Sequence, residues 1–279
     1  MIIKVFVNVC QGIKGILTSR YLSPQLKGRL LIDYFRLTLV LAKASFLKTK
    51  INQVTIKSFG YKINFDNFVT FLYLFNEIFC KEVYTPLQIN TLYDVGANIG
   101  LVILWYKFFN PKLKVVAFEP IKENYECLLK NLKDNHIENV TTYKIALSDR
   151  NGTASFFAIK DNIQSLDSGL VLNQNLPHKI FKTKVGKLSE YIKSGPANLV
   201  KIDVEGAETE IFKDLFTSGK IKLLKNIIFE SHFFNEKQRY EAEKLFRKLR
   251  QMGTLTTVTN SSRSNISYYF AKNKLTSND

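Results

Sequence analysis

From about residue 91 onward the sequence predicts an α/β fold: a Rossmann-like, mostly parallel sheet of seven strands closed by an antiparallel hairpin. Three observations lead there. Short apolar runs alternate with segments of helical periodicity. A glycine-bearing turn follows the first of those runs at once. The last two runs are joined by a short polar loop, Thr259–Asn265, as antiparallel neighbours are. The runs are Leu92–Val95, Val115–Phe118, Thr141–Ala146, Val200–Val204, Ile227–Phe229, Leu255–Val258 and Ile266–Phe270. Helices fit between them at Leu101–Phe109, Lys122–Asn135, Glu208–Phe216 and Glu236–Met252. An excursion over residues 150–198 interrupts the rhythm with a strand (Thr153–Ile159), a polar stretch (Lys160–Asn175) and a strand running into a helix (Lys179–Ile192). An insertion of that length beside a ligand-binding sheet edge is usually functional.

Upstream, residues 1–50 read as about two helices. Leu30, Leu31, Tyr34, Leu37, Leu41 and Ala42 recur at helical spacing, with Arg29, Arg36 and Lys43 on another side. Such a basic amphipathic helix suits an anionic membrane surface. Ile32, Leu39 and Val40 spread the apolar surface beyond one face, which suits packing against a neighbouring domain better. Val54 to Phe65 alternates around Gly60 as a hairpin. Phe68 to Phe79 reads as a buried helix ending near Cys80. The division that follows is a basic helical extension at 1–50 and a main domain at 51–279, whose ligand-binding core is 91–272.

Composition bounds the function. The chain has 279 residues, 46% hydrophobic and 23% charged, which is ordinary for a globular protein with a sizeable core. Three cysteines (Cys10, Cys80, Cys127) supply neither a disulfide framework nor a Cys-x-x-Cys metal or redox motif, so a reducing cytosol is the expected compartment. The N-terminus predicts no secretory leader, and no apolar run approaches the roughly 18 residues needed to span a bilayer. The net charge of +16 is concentrated early: ten Lys and Arg face the single acid Asp33 in residues 1–60. A lysine-rich composition throughout accounts for it; so does attraction to an anionic membrane, a polyphosphate-linked sugar or nucleic acid.

The strand ends carry the chemistry. Ligands of open α/β sheets bind outside the carboxyl ends of the strands. After Leu92–Val95 comes Gly96-Ala97-Asn98-Ile99-Gly100. Gly96 lets the backbone turn sharply and meet a ligand without a Cβ between them. Gly100 permits close packing where the helix begins, and the N–H groups there favour an anion. A dinucleotide fingerprint requires glycine at position 98. Asparagine there crowds a pyrophosphate yet can hydrogen-bond an amino acid's carboxylate. Asp94 is placed for the ammonium or its bridging water. Glu119, ending the next strand, suits two vicinal ribose hydroxyls and repels a 2′-phosphate. Together these point to S-adenosylmethionine. A tight turn and a solvated acid are the bland reading of each feature taken alone.

A second group lies at two further strand ends. Leu199-Val-Lys-Ile-Asp203-Val-Glu205-Gly206-Ala-Glu208 places three acids together, and Ile227-Ile-Phe-Glu230-Ser-His232 ends the next run. Acids packed at strand ends are costly unless they hold a cation, a proton or a ligand. Asp203 suits a sulfonium; Glu230 and His232, two apart, share one face and either could take a proton from a hydroxyl. Glu205 and Glu208 could equally cap the following helix, and His232 could be an ordinary bonded histidine. The acids could bind a divalent cation, but nothing in their spacing demands a metal.

Taken together these segments resemble the FkbM-type methyltransferase family. The likeness runs through Asn76-Glu77-Ile78-Phe79 and Tyr84, Tyr-Asp-Val-Gly-Ala-Asn-Ile-Gly, Ala-Phe-Glu-Pro and Asn131-Leu132. It continues through Ala146-Leu147-Ser148-Asp149 and Lys-Ile-Asp-Val-Glu-Gly-Ala-Glu to Phe229-Glu230-Ser-His232. It covers residues 65–272 and leaves the first fifty uncovered. The resemblance implies a class I methyltransferase fold and O-methylation of a hydroxyl on a sugar, glycan or natural product, lipid- or nucleotide-linked acceptors included. By it, Asp94, Gly96, Asn98 and Gly100 hold the methionine part, Glu119 the ribose, and Ala146 flanks the adenine. Asp203 lies near the transferred methyl, with Glu205, Glu230 and His232 facing the acceptor. The family's Ser-Ser-Leu is Gln164-Ser165-Leu166 here, and its Leu-Asp is Leu188-Ser189; both departures fall on the acceptor side. Two rivals stand: a NAD-binding oxidoreductase, disfavoured by Asn98 and the closing hairpin, and a non-catalytic membrane- or partner-binding module, which the intact acids speak against. Nucleic-acid methylation is a weaker option, since no Asn-Pro-Pro-Tyr-type pocket occurs.

Overall fold

In the computed structural model the apolar runs become strands and the periodic segments helices. The described residues are 2–47, 49–81, 84, 88–159, 178–193, 197–232, 235–260 and 265–272. The chain divides into two compact units: residues 1–88, 98–112 and 125–138 form one, and residues 89–97, 113–124 and 139–279 the other.

The first unit opens with α1 (Ile2–Thr18) and α2 (Pro24–Leu47). Ser23 starts α2: its Oγ accepts from the Leu26 N–H at 3.2 Å, and Pro24 occupies the first turn, where its missing N–H costs nothing. Leu30, Tyr34 and Leu37 are buried, as their spacing requires, whereas Ile32, Phe35 and Leu39 face solvent. The side chains of Leu41 and Ala42 lie outside the described set. The hairpin β1 (Gln53–Ile56) and β2 (Tyr61–Asn64) turns at Gly60, whose φ of +73° favours glycine. Asn67 then caps α3 (Phe68–Phe75), accepting from the Thr70 N–H, and a π-helical turn follows at Asn76–Cys80. The aromatic residues between Phe59 and Phe79 stack along this segment, with the Phe65 and Phe71 centroids 4.4 Å apart. Trp105 of α4 (Leu101–Phe109) joins them edge-on and donates to the Tyr84 carbonyl. The helix α5 (Lys122–Asp134) contributes Asn131, which donates to the carbonyls of Asn64 and Ile99.

The second unit holds a seven-stranded sheet in the order β11-β12-β10-β9-β3-β4-β5. Its strands are β3 (Thr91–Val95), β4 (Lys114–Phe118), β5 (Val140–Tyr143), β9 (Ala197–Ile202), β10 (Leu224–His232), β11 (Gly253–Asn260) and β12 (Asn265–Lys272). The central pairs are parallel, and β12 pairs antiparallel with both β10 and β11. This is the Rossmann-like class I sheet with its closing hairpin. Two helices, α7 (Glu208–Thr217) and α8 (Glu236–Met252), bury Phe212 and Phe246 against Phe229 of β10. Asn235 caps α8 by accepting from the Gln238 N–H at 2.9 Å.

One strand is corrected. Thr141–Ala146 does not run as a single element: β5 stops at Tyr143, whose carbonyl accepts from the Glu119 N–H. Ala146 begins β6 (Ala146–Ser148) in a separate three-stranded sheet of order β6-β8-β7. The other two strands, β7 (Gly152–Ile159) and β8 (His178–Lys187), come from the insertion. The apolar run is continuous in sequence, but Ala146 packs into a small cluster with Ile121, Phe156 and Val185, which draws the chain away from the main sheet. After β8 comes the short helix α6 (Leu188–Tyr191). Residues 160–177, including Gln164, Ser165 and Leu166, lie outside the described residues, as do 261–264 of the hairpin loop. Among the described residues no helix is long and apolar enough to cross a membrane.

Two glycines give opposite predictions for one substitution. A Cβ on Gly15 of α1 would sit 2.1 Å from the Cys80 carbonyl oxygen, so this face of the helix is packed backbone against backbone. Gly28 of α2 has nothing within 4 Å of that position. Gly15→Ala should therefore destabilise by about 1–3 kcal/mol through overpacking, and Gly28→Ala should stabilise by about 0.5–1 kcal/mol through helix propensity. Urea unfolding of both variants measures the two signs.

Candidate active site

The parallel strands β3, β4, β9 and β10 all end on one side of the sheet, and their last residues build the site. Asp94, in β3, is completely buried, and neither carboxylate oxygen has a hydrogen bond among the described residues. Its nearest charge is the ammonium of Lys201 in β9, at 3.6 Å. Lys201 is itself only 3% exposed; its Nζ donates to the Gly96 carbonyl at 2.6 Å and lies 3.6 Å from Asp203. Burial acts to strip this lysine of its proton, but Asp203, Asp94 and Glu119 outweigh it, and its pKa stands above the usual lysine value. Asp94 responds in the other direction. Burial pushes its pKa up, and Lys201 opposes the shift without cancelling it.

Gly96 holds φ +80°, and its N–H donates to the Phe118 carbonyl at the end of β4. An added Cβ would lie 1.9 Å from the Asp203 carbonyl oxygen, so no larger residue fits between the ends of β3 and β9. The turn then passes into the other unit. Asn98 takes φ +49°, a left-handed conformation asparagine tolerates, and its Oδ1 accepts from the Ile99 N–H at 2.8 Å. Gly100, at φ +88°, precedes α4; a Cβ there would meet Leu128 at 2.6 Å.

Glu119 is 4% exposed and accepts from the Ile121 N–H at 2.9 Å, which fixes the carboxylate at the tip of β4. One residue further on begins a cavity of about 720 Å³, lined by Pro120, Lys122, Lys144, Ile145 and Phe181 among others. Of the pair at the β5–β6 break, Ile145 lines this cavity and Ala146 is buried beneath in the small cluster.

The second group closes around His232, the last residue of β10. Its Nδ1 lies 2.9 Å from Glu208, and its Nε2 lies 3.3 Å from Glu205 and 3.8 Å from Glu230. Glu208 accepts from the Gly206 N–H through both oxygens at 3.1 Å, so the carboxylate that meets the imidazole is itself fixed. Of the alternatives at sequence level, Glu208 does sit at the head of α7, but it binds the turn before the helix and the imidazole rather than the first helical N–H groups. Burial disfavours the imidazolium, yet Glu205 and Glu208 outweigh it and hold the His232 pKa well above its ordinary value. Glu205 adopts φ +54° and is pushed well above the usual carboxylate range, first by burial, with His232 opposing and Asp203 and Glu208 adding to the shift. Asp203, Glu205 and Glu230 keep 27%, 18% and 19% of their side chains exposed, so their carboxylates border solvent around a buried imidazole. One ligand atom each from Asp203, Glu205 and His232 fall within 4.8 Å of one another. That spacing fits a divalent cation as well as it fits a charged histidine.

The structure thus brings Asp94, Gly96, Glu119 and Asp203 together, and Glu205, Glu230 and His232 beside them. Sequence reasoning missed Lys201, hidden as a charged residue in an apolar strand. That oddity was the available signal, since a lysine is almost never fully buried unless paired. It also missed what holds Ser189: both its N–H and its hydroxyl bind the buried Asp214, at 2.9 and 2.6 Å.

The chain is similar to known methyltransferases. The chain is 26% identical over 196 residues to methyltransferase sdnD of Sordaria araneosa, covering 57% of this chain and 74% of that protein. It is 25% identical over 170 residues to methyltransferase 1 of Beauveria bassiana, covering 51% and 66%. A solved methyltransferase FkbM from Methylobacillus flagellatus superposes with a TM-score of 0.49 at 14% identity, over 71% of this chain and about half (53%) of that one. A family model described as the methyltransferase FkbM domain matches residues 94–255, from the buried aspartate of β3 through the His232 cluster and into β11. The chain, a methyltransferase, belongs to the FkbM methyltransferase family.

Proposed function

We propose that the protein is an S-adenosylmethionine-dependent O-methyltransferase acting on a hydroxyl of a sugar, glycan or natural product. The observation that carries the cofactor is Asp94, whose fully buried carboxylate oxygens have no hydrogen bond among the described residues, beside the glycine turn. A ligand ammonium, direct or through water, satisfies them. Glu119, fixed at the tip of β4 by the Ile121 N–H, is the carboxylate assigned to the two ribose hydroxyls. The cavity beyond it has room for a purine. Asn98 and the antiparallel β10–β12–β11 closure count against a dinucleotide oxidoreductase. Unpaired Cys10, Cys80 and Cys127 suit a reducing compartment, and we place the enzyme in the cytosol.

S-adenosylmethionine supplies the methyl group as an electrophile on a sulfonium. Asp203, 27% exposed just past the end of β9 and 3.6 Å from Lys201, would offer its negative charge to that sulfonium. Transfer of that methyl to an acceptor hydroxyl would release the hydroxyl proton, which the protein would have to take up. Glu205 is the group suited to take it. A histidine whose pKa is raised by its acidic neighbours gives up its proton less readily, whereas a carboxylate whose pKa is raised above the usual range is, once ionised, a better base than an ordinary one. Glu230, 3.8 Å from the same imidazole nitrogen as Glu205, would orient the hydroxyl. His232 positions Glu205 and limits the repulsion among the three acids.

Two measurements test this reading. Calorimetric titration should show S-adenosylmethionine binding with no heat from NAD, and Glu119→Ala should weaken that binding by about tenfold or more, the loss of a bidentate charged contact. Binding of NAD instead, or unchanged affinity in the variant, would remove the nucleoside assignment. With an acceptor in hand, kcat should fall as pH drops through an apparent pKa above the usual carboxylate value, because the base must be ionised. Glu205→Gln should lower kcat by about 10²-fold or more with little change in cofactor affinity. A profile flat through that range, or near-normal turnover in the variant, would reassign the base.

A further inference from the structure

Most exposed apolar side chains on a protein surface are scattered and need no account. Those on α2 are not scattered. Ile32, Phe35 and Leu39 are 70%, 61% and 64% exposed, and their spacing places them on one face of the helix. Leu47, 50% exposed, follows a little over two turns on. Arg29 and Lys43, both exposed, fall beside the same stripe, and Arg36 is half-buried along its edge. Acidic groups are missing from it: the single acid of residues 1–60, Asp33, is 2% exposed on the opposite side, paired with Arg36 at 2.9 Å and accepting from both Ser58 N–H and Oγ. Leu17 of α1 and Tyr21 of the turn that follows it, 57% and 45% exposed, lie near the exposed Lys14 and Arg20 in the chain.

We propose that this face of α2 docks on an anionic lipid bilayer, with Ile32, Phe35 and Leu39 entering the headgroup boundary and Arg29 and Lys43 meeting lipid phosphates. Charge selects this occupant. A second copy of the chain on the same face would bring like cations together with no carboxylate to neutralise them. Nucleic acid matches the cations but leaves three large apolar side chains in water. A bilayer interface takes both components, and helices with this composition lie in its plane. The inference concerns the first unit and does not rest on the cofactor or acceptor reading.

The test is co-sedimentation of the full chain with vesicles of phosphatidylcholine alone and with vesicles containing about a third phosphatidylglycerol. The chain should partition onto the anionic vesicles, less so at high salt. Ile32→Asp/Phe35→Asp/Leu39→Asp should reduce that partitioning by about tenfold or more, since each change replaces an inserting side chain with a like-charged one relative to the lipid. Arg29→Glu/Lys43→Glu should also reduce it. All of these side chains are solvent-exposed, so the cooperative unfolding transition should persist; if the triple variant loses it, Leu39→Asp alone is read in the same way. No binding to anionic vesicles, or wild-type binding by both sets of variants, overturns the proposal. So does a wild-type dimer that the triple variant abolishes, which would give the face to a second copy.

Discussion

One buried cation organises the ligand-binding end of the sheet. A carboxylate with no exposure, such as Asp94, is tolerable only beside a compensating charge. Lys201 supplies that charge from the neighbouring strand, and the same ammonium holds the Gly96 carbonyl and tethers Asp203. The turn after β3 and the acids after β9 are therefore one structure. Their approach leaves no room for a side chain at position 96, so the glycine follows from the strand pairing as much as from any ligand. Neither oxygen of that aspartate has a hydrogen bond among the described residues, so the ammonium of Lys201 is the compensation the fold supplies.

The same logic repeats one strand over. His232 sits among Glu205, Glu208 and Glu230 as Lys201 sits among Asp94, Asp203 and Glu119, so acids alternate with buried cations along the strand ends. The pattern lets carboxylates gather at one edge without driving each other apart. It also separates their behaviour. Glu208, bound by the Gly206 N–H and the imidazole, is structural, whereas Glu205 keeps an exposed edge and a raised pKa. Two titrating partners this close share their protons, so the pH response belongs to the cluster.

Much of this was legible in the residues. Strand and helix positions followed from the apolar pattern, because the central strands are buried on both faces, α8 buries one face and α4 is a continuous apolar run. α4 and α8 match the expected spans, and the hairpin closure followed from the short polar loop. The break at Tyr143 was not legible: an apolar run cannot say that a second sheet, assembled from residues far along the chain, will capture Ala146. At the site, the acids announced themselves by type and position. Asn98 was read for its side-chain chemistry toward a ligand, but its left-handed backbone and its bond to the Ile99 N–H are local properties that spacing does not encode. In α2 the apolar residues that widen the stripe suggested a packed helix. The structure buries Leu30, Tyr34 and Leu37 of the stripe but leaves Ile32 and Leu39, which widen it, outside with Phe35.

The dependence of the site on one cation is open to a direct measurement: calorimetric titration of S-adenosylmethionine into the Lys201→Met protein beside the wild type. The methionine matches the lysine stem in volume but leaves Asp94, Asp203 and the Gly96 carbonyl without their shared partner. A folded variant that binds the cofactor at least about tenfold more weakly is the result predicted, in line with the loss of a buried charge-assisted contact. A folded variant with wild-type affinity would contradict the account, since the turn and the acids would then hold their places without the cation.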